Sequence, residues 1–250
     1  MVLKTAYFVA FPQVTPRAWY PIGMANSPWT VVSLGGSVIV PNEIDIEYLK
    51  NFAALIRKHI ERGQKFIIIA GGGKTCRKYQ DAARALGELS KNDLDWLGIH
   101  TTRLNGHLLR SVFRAEAHPA LIKDPTESVP AADIIIAAGW EPGWSTDYVA
   151  VKLAKNVGAQ RLVNVSNVDY VYTADPKTDV NAQKVEKIGW KEFRKLLPAE
   201  WDPGMNAPCA PVAAEEAESA QLEVAFMGPS IQEFDNYLNF TPFKGTLISG

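Results

Sequence analysis

The sequence has little of what would staple, anchor or steer a protein from outside. Two cysteines, Cys76 and Cys209, occur in 250 residues. They lie far apart and form no CxxC pair, so there is no disulfide framework, which fits a reducing compartment. The four histidines, His59, His100, His107 and His118, show no metal-ligand spacing. No apolar run approaches the roughly 18 residues that span a bilayer. The stretch Ala6–Phe11 stops at Pro12, too short for the apolar core of an export signal, and a cytoplasmic location is the expectation. An excess of charge is missing as well: 26 basic residues face 27 acidic ones, a net charge of −1. That balance argues against a nucleic-acid or anionic-membrane partner. Neither GxxxxGK[ST] nor GxGxxG occurs, and no fixed-period repeat or low-complexity tract is present.

What is there suits a globular fold with a sizeable core, since 47% of residues are hydrophobic and 21% charged. Residues 1–28 stand apart, with four prolines (Pro12, Pro16, Pro21, Pro28) and no periodicity. They are read as an extension or an arm, with Met24 as a candidate start, and 29–250 as a single domain.

Three apolar runs end in glycine. Thr30–Leu34 meets Gly35-Gly36-Ser37, Phe66–Ala70 meets Gly71-Gly72-Gly73-Lys74, and Ile134–Ala138 meets Gly139. Glycine after a strand turns the chain sharply and leaves backbone N–H groups open to a ligand. Bare amides and helix N-termini both favour phosphate. Three such bends at strand ends would build one anion-binding floor, holding two phosphorylated molecules face to face.

Between these runs the spacing is helical. Ile44, Tyr48, Leu49, Phe52, Leu55, Ile56 and Ile60 form one apolar face that ends at Gly63. Further helices are expected over Lys74–Leu86, Leu94 to about Ala115, a stretch opened by Ser145-Thr146-Asp147 with Ser145 or Thr146 as N-cap and ended by Gly158, Trp190–Leu197, Val212–Ala220 and Ile231–Leu238. Val38–Pro41 reads as extended, Ala120–Ile122 as a short strand, Arg161–Ser166 and Glu223–Met227 as strands, and Gly245–Ser249 as an edge strand. Trp201–Pro211 is a Pro/Gly-rich loop. Alternation of strand and helix indicates an α/β protein with a largely parallel sheet covered on both faces. Ligands then belong at the carboxyl ends of the strands, near the point where strand order reverses.

Two readings are open for several residues. Lys74 and Arg77 suit a phosphate or a solvated helix face. Asp95 and Asp147 suit ligand contacts or first-turn acids that favour the helix dipole.

The ordered series Gly35-Gly36-Ser37, Gly71-Gly72-Gly73-Lys74 with Arg77-Lys78-Tyr79, Asp95-Trp-Leu-Gly98 with Thr102 and Asn105 continues along the chain. It runs on through Gly139-x-x-Pro142-Gly143-x-Ser145-Thr146-Asp147 and Asn167-Val168-Asp169-x-Val171-Tyr172-Thr173-Ala174-Asp175-Pro176. This series resembles the amino-acid-kinase superfamily, and within it the archaeal-type uridylate (UMP) kinases, from about Val31 to Ile248. The resemblance implies a three-layer αβα sandwich with a mostly parallel central sheet, assembled as a homohexamer. It implies transfer of the γ-phosphate of ATP, with Mg2+, to UMP. Gly72, Gly73 and Arg77 would cradle the UMP phosphate, Asp95 its ribose, and Thr146 the same nucleotide. Gly35, Gly36 and Ser37 would face the transferring group, while Asn167, Tyr172 and Asp175 would surround ATP. Asp147 would orient the reaction centre. Two departures stand out. Ser33 occupies a position where many members carry lysine, so another cation is needed; Lys74 is the first candidate, ahead of Lys152 and Lys177. Tyr170 replaces a usual glycine, and a positive φ there would cost roughly 1–3 kcal/mol. The alternatives are a non-catalytic oxoanion binder of the molybdenum-storage kind, or a kinase for another small phosphate or carboxylate acceptor.

Overall fold

The computed structural model describes residues 27–176, 178–198 and 208–250. The expected N-terminal arm, apart from its last two residues, Lys177 and most of the Trp201–Pro211 loop lie outside them.

The strands β1 (Trp29–Leu34), β2 (Lys65–Ala70), β3 (Ile134–Ala137), β4 (Arg161–Val165) and β8 (Glu223–Met227) are short apolar runs, nearly all buried. Continuous runs of this kind need cover on both faces, which a parallel sheet with helical crossovers provides. The order across the sheet is β3-β2-β1-β4-β8-β9-β7, with β9 at Thr246–Ile248 and β7 at Lys187–Ile188. Every pairing is parallel except β8 with β9. A separate two-stranded ribbon joins β5 (Val171–Tyr172) to β6 (Lys184–Val185).

Side chains alternate between two cores. Val32, Ile68 and Val163 point to one face, where α1 (Gly36–Ile39), α2 (Ile46–Ile60), α4 (Lys91–Val112) and α8 (Ile231–Leu238) cover them. Val31, Ile67 and Leu162 point to the other, under α5 (Thr146–Val157), α6 (Trp190–Lys195) and α7 (Pro211–Ser219). The result is a three-layer αβα sandwich. Each fully buried Ile, Leu or Phe contributes about 1.5–3 kcal/mol relative to exposure. The remaining helix, α3 (Gly73–Leu86), packs on α4.

Three expectations fail here. Val38-Ile39-Val40 is not extended: residues 36–39 form a helical turn, because Gly35 O accepts from Val38 N and Gly36 O from Val40 N, at 2.9 and 2.8 Å. The three side chains are buried in the core, so packing overrides their β-branched preference. Ala120–Ile122 makes only an isolated bridge, Ile122 to Ala137. The terminal strand β9 is not an edge strand, since the two-residue β7 pairs outside it.

Candidate active site

Strand order reverses at β1: β2 and β3 extend to one side, β4 and β8 to the other. At the carboxyl ends of these strands lies a cavity of about 750 Å³, a size that suits small-molecule ligands. Gly35 N donates to Val165 O at 2.8 Å and Gly71 N to Leu34 O at 2.9 Å, so each bend is tied to the neighbouring strand.

The first two glycine bends touch each other. A Cβ on Gly36 would overlap the backbone of Gly72 and Gly73, and one on Gly71 would overlap Gly36 N. Gly73 also has φ +66°, the left-handed region that disfavours other residues. These glycines are required by contact between two backbones. The close approach brings Gly35–Ser37, after β1, and Gly71–Gly73, at the start of α3, which no side chain caps, along one wall of the cavity.

Helix α4 fixes the geometry of this wall. Buried Asn105 donates Nδ2 to Gly71 O at 2.7 Å and to Gly72 O at 3.2 Å. Thr102 Oγ1 accepts from Gly139 N at 2.8 Å, and Arg103 donates to Gly139 O and Trp140 O at 3.3 and 2.8 Å. Asp95 Oδ2 accepts from Gly143 N at 2.8 Å. One helix therefore holds the bends after β2 and β3 in register. Buried Gln80 adds a bond from α3 to Leu94 O at 2.9 Å and also lines the cavity.

Asp147 sits at the junction of the two halves, in the first turn of α5, which Ser145 caps by accepting from Tyr148 N. Its Oδ1 accepts from Ser33 Oγ at 3.1 Å and from Asn164 Nδ2 at 3.3 Å. Burial pushes its pKa above the usual carboxylate range, and hydrogen bonds from Ser33 and the Ala210 amide only partly oppose that. The Cys209 thiol beside it is pushed well up, first by burial and then by the Asp147 charge.

The sequence-expected residues mostly converge. Gly35, Gly36, Ser37, Gly72, Gly73, Arg77, Asp95, Thr146, Asp147, Asn167, Tyr172 and Asp175 all line this one cavity. Lys74 does not: it is the second residue of α3, its amide donating to Val40 O at 3.0 Å, and its side chain is absent from the cavity wall. Lys152 is also absent and pairs with Glu216 at 3.2 Å. Among the described lining residues Arg77 is the one lysine or arginine, against the three acids Asp95, Asp147 and Asp175. Tyr170 does not have a positive φ, so the expected strain is absent; Lys184 Nζ lies 5.0 Å from its ring centroid.

Sequence reading missed Ser33 and Asn164 as partners of Asp147, and missed Gln80 and Trp144 in the wall. A signal was available for the first two. Each is a polar residue inside an otherwise apolar strand, where burial demands a partner.

Amide-lined bends at adjacent strand ends, with an acid at their junction, define a phosphate-handling α/β protein. The family model for the amino acid kinase family matches residues 28–227, and the chain belongs to that family. A uridylate kinase of Hyperthermus butylicus is 32% identical over 223 residues, 88% of this chain and 97% of its own length. One of Thermococcus onnurineus is 37% identical over 219 residues, 86% and 95% respectively. The crystal structure of uridylate kinase from Archaeoglobus fulgidus superposes with a TM-score of 0.76 at 30% identity, covering 88% of this chain and 99% of that one.

Proposed function

We propose that this chain transfers the γ-phosphate of ATP to UMP, giving UDP and ADP. The observation that carries the reading is the contact between the two glycine bends. On this reading Arg77 and Asp95 serve the acceptor and Asn167, Tyr172 and Asp175 the donor, and all five line the one cavity in which the bends meet. Likeness to uridylate kinases over 86–88% of the chain supports the choice of acceptor.

In the reaction a UMP phosphate oxygen bonds to the γ-phosphorus as the bond to the β-bridging oxygen breaks, and ADP leaves with that oxygen. An ionised phosphate is already a nucleophile, so no general base is needed. The work is alignment and neutralisation of the oxygens. The backbone amides of Gly36, Ser37, Gly72 and Gly73 bind the phosphates, Arg77 grips the acceptor phosphate as a fork, and Asp95 receives the ribose hydroxyls.

Among the described residues no cluster of three or more metal-ligating side chains exists. A single cavity-facing carboxylate nevertheless fits Mg2+, which takes one or two carboxylates and fills its shell with phosphate and water. Asp147 would hold it, and the ion would supply positive charge near the transferring group. The same reading includes a homohexamer, measurable by sedimentation, and a cytoplasmic location. No helix among the described residues is long and apolar enough to cross a membrane.

The test is transfer of labelled phosphate from ATP-Mg to UMP, CMP, AMP, GMP, acetylglutamate and carbamate. UDP should form fastest. Turnover no better with UMP than with the carboxylate and carbamate acceptors overturns the proposal, and a bound polyoxometalate in the purified protein decides for oxoanion storage.

A further inference from the structure

Helix α3 buries a single side chain, and it is polar. Of its residues only Gly73 and Gln80 are buried, and Gln80 is 5% exposed. An amide in such a place costs free energy unless its polar atoms find partners. Gln80 Nε2 has one: it donates to Leu94 O at 2.9 Å and ties α3 to the first turn of α4. Its Oε1 accepts from no group among the described residues, yet it is not sealed off. The buried side-chain atoms without a partner among those residues are His59 Nδ1, Gln64 Oε1, Glu116 Oε2 and Arg161 Nη1, and Gln80 Oε1 is not one of them. The exposed remainder of Gln80 therefore includes this oxygen, and the space beside it is the cavity, which Gln80 lines.

Its neighbours are the residues assigned above to the acceptor. Arg77 lies three positions earlier, on the same face of α3, and Asp95 directly follows Leu94; both line the cavity. A Cβ on Gly98 would stand 3.7 Å from Gln80 Nε2, so the amide rests against α4 at the turn that carries Asp95. Asp95 already commits Oδ2 to the Gly143 amide at 2.8 Å, which leaves Oδ1 as its freer oxygen. Two acceptors held at one turn of α4 suit a ligand with two adjacent O–H donors, and the cis-diol of a ribose is such a ligand.

We propose that Gln80 is a specificity-determining residue that shares the acceptor's ribose cis-diol with Asp95, its Oε1 accepting from one of the two hydroxyls. The inference rests on the UMP reading above and deepens it, because it restricts the acceptor to ribonucleotides. The bond to Leu94 O holds the amide before the ligand arrives, so little freedom is lost on binding. A site built to hydrogen-bond a hydroxyl rejects the analogue that lacks it, since the buried acceptor is then left unpaired.

Calorimetric titration of the full chain with UMP, 2′-deoxy-UMP, 3′-deoxy-UMP and ATP tests this, using the parent, Gln80→Met and Gln80→Leu. The parent should bind each deoxy analogue at least about threefold more weakly than UMP. In both variants UMP should weaken about threefold to tenfold, the range for one neutral hydrogen bond. One analogue should bind parent and variants alike, because it lacks the hydroxyl that Gln80 takes; the other should weaken as UMP does. ATP should bind all three proteins alike. Equal weakening of UMP and both analogues would make Gln80 only a staple between α3 and α4 and overturn the inference, as would unchanged UMP binding. Where a variant loses ATP as well, its fold has failed and the parent decides: either analogue bound as tightly as UMP overturns the inference. A parent chain that binds ATP and no UMP overturns the proposed function itself. UMP bound without the hydroxyl pattern leaves that function standing and removes only the role of Gln80.

Discussion

Ser33 Oγ donates to Asp147 Oδ1 at 3.1 Å, joining the end of β1 to the first turn of α5 across 114 positions of sequence. A lysine at residue 33 would place a charge beside that acid. Serine gives it a neutral donor instead. Asp147 thus has Ser33, Asn164 and the Ala210 amide around it, and burial dominates its titration.

This arrangement predicts a trade between stability and activity. The folded-state pKa of Asp147 is raised above 3.8, so the native state binds that proton more tightly than the unfolded chain does. The stabilisation is fully present below about pH 3.8 and is lost as pH rises through the folded pKa. Above it, the ionised carboxylate is a net cost to folding. Asp147→Asn should therefore be more stable than the parent at pH 8, by about 2–4 °C in Tm for each kcal/mol recovered. The gain should disappear toward acid, while phosphoryl transfer falls about a hundredfold or more. Calorimetry from pH 3 to 8 measures the first part, and a variant less stable at pH 8 contradicts it.

Ser33→Ala removes one donor to the ionised acid, so its pKa should rise further. The acid limb of the pH–rate profile then moves to higher pH, and turnover falls more on that limb than on the plateau above it. A profile that drops evenly at all pH values would detach Ser33 from the titration of Asp147.

Arg77, and not Lys74, carries the positive charge in the described wall. Arg77→Ala should raise the KM for UMP by roughly tenfold to a hundredfold, the range for losing a charge-assisted bond. Lysine at 77 should recover part of this, lacking the fork. Lys74→Ala should leave kcat near that of the parent. A collapse of kcat in that variant, with Arg77→Ala unimpaired, would restore Lys74 as the replacement cation.

Gly36→Ala tests the interlock of the two bends. A methyl there would overlap the backbone of Gly72 and Gly73. The expected destabilisation is about 1–3 kcal/mol, or roughly 2–12 °C in Tm for a chain of this size. Activity should be lost even below the melting transition. Full activity with an unchanged Tm would mean the bends part easily.

The layers of the sandwich were legible because Thr30–Leu34, Phe66–Ala70 and Ile134–Ala138 are short, mostly apolar runs that stop at glycine, as strands buried on both faces of a parallel sheet do. The helices α2 and α5 were legible from their apolar spacing and their stops at Gly63 and Gly158, both with positive φ. What escaped was set by distant partners. Lys187–Ile188 and Val171–Tyr172 are strands of two residues, too short for any period to show. The turn at Gly36–Ile39 depends on the core beneath it, and the exclusion of Lys74 depends on α3 starting at Gly73, one residue before it. Trp144 is one tryptophan among seven in the sequence. Its place in the wall follows from Asp95 holding Gly143, a contact 48 positions apart that local pattern does not reveal.

The central claim is that one cavity seats donor and acceptor with their phosphates end to end. A bisubstrate analogue, adenosine and uridine joined 5′ to 5′ through a chain of five phosphates, tests it most directly. If both halves are engaged at once, the second contact is intramolecular and avidity exceeds that of either part by about a hundredfold or more. The account predicts that the analogue binds at least that much tighter than UMP and ATP singly, one molecule per chain, and displaces both. An analogue that binds no better than ATP, and leaves UMP free to bind beside it, would contradict the account.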